Sequence, residues 1–256
     1  MISEFPLLVF TTCTGLAAGS YLASALFFNK DDRGKRPWLF PLVCLILLGI
    51  GMLSSMLHLQ HPERIMNAMA NPAAMICQEA YWSIVFGLLV LIDFIYALVK
   101  KDNKRGLHIA AAVFGVGLMA VTSTAYAINL GVDAWEGPAS WLTFFVGDIA
   151  LGFSLFCLFE KGLLEGKRAR GAGIAVYLVY ALVLVWQGVQ FGMAGASAVP
   201  AVIAAVIALA AVCFIVSAAK KEGSRLSGFN LATLVFILIL VAAVVSRYSF
   251  YAMFSI

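Results

Sequence analysis

Two side chains with acid–base chemistry stand at the ends of neighbouring apolar runs. The run 38–59 closes on Ser55-Met-Leu-His58-Leu-Gln60-His61-Pro62-Glu63-Arg64, and the next opens on Gln78-Glu79-Ala-Tyr81-Trp82. If both runs are helices joined by the intervening loop, His58 and Glu79 lie at the same end of an antiparallel pair, with Arg64 close by. Such a pair in a semi-apolar pocket can take protons from a hydroquinone: the imidazole titrates near neutral pH and the carboxylate can pass the proton on. The same spacing also fits a plain ion pair between Arg64 and Glu79 at a helix end, with His58 at headgroup level. Spacing alone leaves both readings open.

Deeper in the apolar runs are two further carboxylates. Asp148 lies eight residues into the run 140–159, ~12 Å along a helix at about 1.5 Å per residue. Asp93 lies toward the far end of the run 80–99. A carboxylate in hydrocarbon marks an internal partner or a proton path, and Asp148 has the stronger claim of the two; a structural role is expected for Asp93. The glycines Gly15 and Gly19 form a small-xxx-small pair suited to close helix packing.

Metal chemistry is not expected. The histidines are His58, His61 and His108; the first two are three residues apart, and the third belongs to the opposite side of the membrane, so no pair can sandwich a haem. The five cysteines, Cys13, Cys44, Cys77, Cys157 and Cys213, contain no Cys-x-x-Cys pair and so lack the clustered thiolates of zinc or iron–sulfur sites. They read as small buried hydrophobes.

The elements that hold these residues follow from composition. Of 256 residues, 63% are apolar and 12% charged, against roughly 25% charged in soluble domains. Too few polar residues remain for a water-facing shell, so the outer surface must face lipid. A bilayer core about 30 Å thick takes ~20 apolar residues of helix. Runs of that length are predicted at 5–28, 38–59, 80–99, 107–128, 140–159, 172–191, 198–219 and 228–250. The sixth and seventh are separated only by the Gly- and Ala-rich stretch 191–199, and Pro200 suits the first turn of the seventh. The first run has no basic n-region and is too long for the apolar core of a cleavable signal, so it is expected to stay as a helix.

All but two of the 17 Lys and Arg residues fall in the 1–2, 3–4, 5–6 and 7–8 connections. Basic connections stay cytoplasmic, so both termini are expected on the extracytoplasmic side. The net charge of +4 is spread over these loops and forms no nucleic-acid patch. The two exceptions, Arg64 and Arg247, fall on the outer side. The fold class is therefore all-α, a polytopic integral membrane protein with eight transmembrane helices in a single domain over 1–256.

With these residues in view, the sequence resembles the membrane-anchor (C) subunits of dimethyl sulfoxide reductase. The likeness rests on Ser55-Met-Leu-His-Leu followed by Pro62, Arg64, Asn67 and Glu79, and on the start Glu4-Phe-Pro-Leu-Leu-Val-Phe-Thr with Gly15 and Gly19. Tyr126 to Phe145, with Ala134-Trp135 and Trp141-Leu-Thr-Phe-Phe, and Arg247 with Phe250-Tyr251 add to it. The stretch Thr124-Ala-Tyr-Ala-Ile-Asn-Leu-Gly lacks the basic residue that the family usually carries ahead of the tyrosine, so Tyr126 and Trp135 are not assigned to the site.

The resemblance implies a heterotrimer of anaerobic respiration in a prokaryotic cytoplasmic membrane. A molybdopterin catalytic subunit and a four-cluster, ferredoxin-like iron–sulfur subunit would sit on the extracytoplasmic face. This chain would bind menaquinol as an exchangeable substrate near that face and hand its electrons to the iron–sulfur subunit, with no metal or haem of its own. The family's quinol-site histidine and glutamate correspond to His58 and Glu79, with Gln60, Arg64 and Arg247 as further quinol-binding candidates. The alternatives are a polysulfide-reductase-type quinone-interacting anchor, with its quinone in a different helix bundle, and a secondary transporter. Against the transporter stand the lack of a clear internal repeat and the few prolines inside spans, with Asp148 as the only charge expected at midplane.

Overall fold

A computed structural model describes residues 4–28, 36–59, 70–128, 132, 134–160, 162–220 and 228–253. With no water in the hydrocarbon to serve backbone groups, a spanning segment must satisfy its own N–H and C=O groups, which a helix does. The described residues accordingly form eight long helices: α1 Phe5–Leu26, α2 Leu39–His58, α3 Met75–Lys100, α4 Arg105–Ala127, α5 Pro138–Phe159, α6 Lys167–Met193, α7 Val199–Lys220 and α8 Gly228–Ala252. All eight are long and apolar enough to cross a membrane, and among the described residues there is no strand.

The spans sit where hydropathy places them, with two extensions. α3 starts at Met75, not at residue 80, so Glu79 lies in its second turn and not at its mouth. α6 starts at Lys167, taking Lys167, Arg168 and Arg170 of the 5–6 connection into its first turns. Long cationic side chains continue a helix past its apolar stretch by keeping their heads in polar surroundings. The short 6–7 link turns at Gly195, whose φ of 77° is a conformation that favours glycine, and Pro200 stands second in α7.

α1 to α4 form one ring in which each helix packs on the next and α4 closes on α1; α5 to α8 form a second ring closed by α8 on α5. The rings meet mainly through α1 and α5, with α4 on α5 and α1 on α8 flanking. In the apolar windows of α1 and α5, 67% and 72% is buried, against 28% in each of α2 and α3. α1 and α5 are therefore the central helices, and glycines set their contact. A Cβ on Gly19 would strike the Asp148 carbonyl, and one on Gly152 would strike the backbone of Gly19 and Ser20. Gly15 gives way to the Asp148 side chain itself. The predicted role of the Gly15/Gly19 pair in close packing holds, with α5 as the partner helix.

Outward-facing positions are large and apolar: Leu53 and Leu57 on α2, Leu88 and Val99 on α3, Leu182 and Val189 on α6 and Val206 on α7 are all exposed. In water this surface would be a liability; against lipid it is the expected contact face.

Candidate functional site

One end of the first ring holds a cavity of about 390 Å³ lined by α1 (Leu7, Phe10), α2 and the residue after it (Met52, Ser55, Met56, His58, Leu59), α3 (Ile76, Glu79, Ala80) and α4 (Ala125, Tyr126). Its size falls in the range of small-molecule sites, and its character does too: mostly apolar walls with a few convergent polar groups. The polar groups are Ser55, His58, Glu79 and Tyr126. Ser55 donates to the Met52 carbonyl of its own helix at 3.1 Å.

His58 and Glu79 thus share one cavity, as the antiparallel α2–α3 pair predicts. They are not paired with each other. His58 ends α2 at the cavity mouth, its side chain 39% exposed, and its Nδ1 lies 2.8 Å from Oε2 of Glu4. Glu79 is placed deeper, and its Oε1 is sealed from solvent with no hydrogen-bond partner among the described residues. Thr122 of α4 places its hydroxyl beside this carboxylate. A carboxylate in apolar surroundings is costly unless hydrogen-bonded, and Thr122 is the polar neighbour that α4 supplies.

Tyr126, which the sequence leaves unassigned, forms the cavity's back wall. Its ring stacks on Phe144 at 4.8 Å between centroids and meets Tyr251 edge-on at 5.5 Å. Trp135 does not line the cavity. It stacks on Phe250 at 4.5 Å and donates from Nε1 to the Phe250 carbonyl at 2.9 Å, fastening the α4–α5 connection over the end of α8. Together with Leu8 and Phe191 these rings make a rigid apolar block behind the site.

Arg247 is not at a membrane surface, where the loop count puts it. It is fully enclosed in α8, ion-paired with Asp148 of α5, and its guanidinium lies over the Phe144 ring at 5.4 Å. It therefore adjoins the cavity only through the Phe144–Tyr126 stack and is not among the lining residues. Asp148 has the internal partner that a carboxylate at this depth requires. The reading of Asp148 as the one charge at midplane is corrected: a cation of the second ring accompanies it. Gln60, Arg64 and His61 lie outside the described residues, as does the loop that carries them.

At the opposite end of the first ring, Asp93 is likewise provided for. The Tyr21 hydroxyl donates to its Oδ2 at 2.9 Å, and His108 Nε2 lies 3.3 Å from the same oxygen. His108 Nδ1 contacts the Ser24 hydroxyl at 3.0 Å, and Phe40 stacks on the imidazole with centroids 5.8 Å apart. The cluster ties α1, α3 and α4 together, the structural role expected of Asp93. Fourteen residues of α3, ~21 Å of helix, separate it from Glu79. Among the described residues no three His, Cys, Asp or Glu side chains converge as metal ligands would, and the cysteines are free.

With this geometry in place, comparison with known proteins is decisive for the family. Residues 1–253 match the family described as DMSO reductase anchor subunit (DmsC). The chain belongs to that family. The anchor subunit is 26% identical over 199 residues to the C subunit of the anaerobic dimethyl sulfoxide reductase of Escherichia coli, covering 73% of this chain and 69% of that subunit. It is 29% identical over 163 residues to the corresponding subunit from Haemophilus influenzae, covering 59% of this chain and 58% of that subunit. Eight membrane-spanning helices and membership of this family make it a membrane anchor of a DMSO reductase complex.

Proposed function

We propose that the anchor subunit oxidises a quinol in the α1–α4 cavity and passes the electrons to an iron–sulfur partner subunit. The observation that carries this reading is the convergence of His58, Glu79 and Tyr126 in one apolar cavity at an end of the bundle. A hydroquinone has a flat apolar ring and two hydroxyls, which suits apolar walls with two proton acceptors.

Oxidation breaks two O–H bonds. One proton goes to the imidazole of His58 and the other to the Glu79 carboxylate. The two electrons would pass to an iron–sulfur subunit docked at this end, which would act as the one-electron acceptor, and the quinone would then depart. His58 at the mouth returns its proton to solvent, after which Glu79 discharges by the same route. The apolar block of Trp135, Phe144 and Phe250 keeps water away from the far side, so protons have one exit.

The basic connections orient this end outward. The molybdopterin catalytic subunit and iron–sulfur subunit implied by the family would dock there, with both termini of the anchor on the same side of a prokaryotic cytoplasmic membrane. Protons released outside and consumed outside by the reductase leave no net charge moved. The Asp148–Arg247 pair gives that carboxylate an internal partner. Menaquinol is the expected quinol.

The test is turnover of the assembled complex with a soluble naphthoquinol donor and the complex's own acceptor. His58→Ala and Glu79→Gln are expected to retain both partner subunits and lose at least about 100-fold in quinol oxidation, the scale of positioned acid–base groups. Wild-type rates in both variants would remove the cavity from the reaction.

A further inference from the structure

Glu4 is the N-cap residue of α1, but its side chain makes no capping hydrogen bond. The local sequence explains why. An N-cap carboxylate ordinarily accepts from the backbone N–H of the second or third helical residue. Here the second is Pro6, which has no N–H, and the third is Leu7, whose N–H already donates to the Glu4 backbone carbonyl at 3.0 Å. The Leu8 N–H reaches the same carbonyl at 3.2 Å. The motif Glu-Phe-Pro therefore starts the helix through the main chain and leaves the carboxylate for another use. That carboxylate is almost fully enclosed, 7% exposed, and faces Nδ1 of His58 at 2.8 Å.

The chemistry of the contact is directional. A carboxylate only accepts, so at this ion-pair distance it favours the imidazole tautomer with its proton on Nδ1 and leaves the Nε2 lone pair for another partner. It also stabilises the imidazolium formed once Nε2 has taken a proton. This is the arrangement by which a buried acid orients a catalytic histidine elsewhere. Glu4 from α1 contacts His58 directly, and Glu79 from α3 lines the same cavity; both are anionic when ionised.

We infer that Glu4 is the positioning residue of the site: it fixes the tautomer and orientation of His58 so that Nε2 accepts the hydroquinone proton. The inference rests on the quinol-oxidising reading above. It assigns the acceptor atom, and it gives the start of α1 a role in the reaction besides packing.

The experiment uses the complete purified complex and a naphthoquinol donor. Glu4→Gln, which keeps the shape and removes the charge, is expected to lower kcat about 10- to 100-fold with KM for the donor little changed. Glu4→Asp is expected to recover part of that loss. The deciding comparison is Glu4→Gln in a His58→Ala background, where no further loss is expected, because a residue that acts through His58 has nothing left to act on. Full activity of Glu4→Gln, or the same fold loss with and without His58, would overturn the inference while leaving His58 in the site. Wild-type turnover of His58→Ala alone would instead overturn the quinol-site reading, and the inference with it.

Discussion

At the residue scale, three kinds of buried charge have been handled in three ways. Glu79 lines the cavity with Thr122 beside its carboxylate, Asp93 is shared by Tyr21 and His108, and Asp148 is matched by Arg247. Breaking a buried pair by removing one partner is destabilising by about 3–5 kcal/mol, because a charge is left uncompensated. Asp148→Asn should therefore lower the thermal stability of the purified complex by about that amount. The double variant Asp148→Asn/Arg247→Met should recover most of it, as read from thermal unfolding. If the two substitutions destabilise additively, the pair is not the unit described. Of these residues, His58 and Glu79 were legible in the sequence because they stand at facing ends of consecutive helices. Arg247 and Asp148 were each visible as anomalies, but 99 positions separate them and nothing local pairs them. Glu4 was hidden differently: one acidic residue before a first span reads as an ordinary helix flank until its absent capping bond is seen.

At the element scale, the α1–α5 seam is set by glycine, and the requirement is local to it. A methyl added at Gly152 meets main-chain atoms of Gly19 and Ser20, which cannot rotate away, whereas one added at Gly49 on α2 meets nothing within 4 Å. Gly152→Ala is expected to cost about 1–3 kcal/mol or more, the scale of overpacking, and to lower the yield of assembled complex. Gly49→Ala should leave yield and melting temperature unchanged. Equal behaviour of the two would mean the seam is looser than described. The number and order of helices were readable because a hydrocarbon thickness imposes span length. Which helix packs on which was not, since helices apolar on every side carry no amphipathic stripe to mark their inner face. Only Gly15 and Gly19 hinted that α1 is central, and they did not name α5.

At the scale of the whole molecule, two rings share one seam, and the proposed quinol chemistry is assigned to the first. The basic connections predict that the cavity end faces outward. A cysteine placed at Asn71, beyond the cavity end of α2 and α3, is expected to react with a membrane-impermeant maleimide in intact spheroplasts. One placed at Asp102, between α3 and α4, should react only after permeabilisation; the reverse pattern would turn the molecule over and put the cavity on the cytoplasmic side. The most direct test of the account is where quinone binds. A photoreactive naphthoquinone cross-linked to the complete complex and mapped by peptide mass spectrometry should label the cavity walls at Met56, Leu59, Ile76, Ala80 or Ala125, and excess unlabelled quinone should abolish the label. Specific label confined to α5–α8 would contradict the account, because the site would then belong to the other ring.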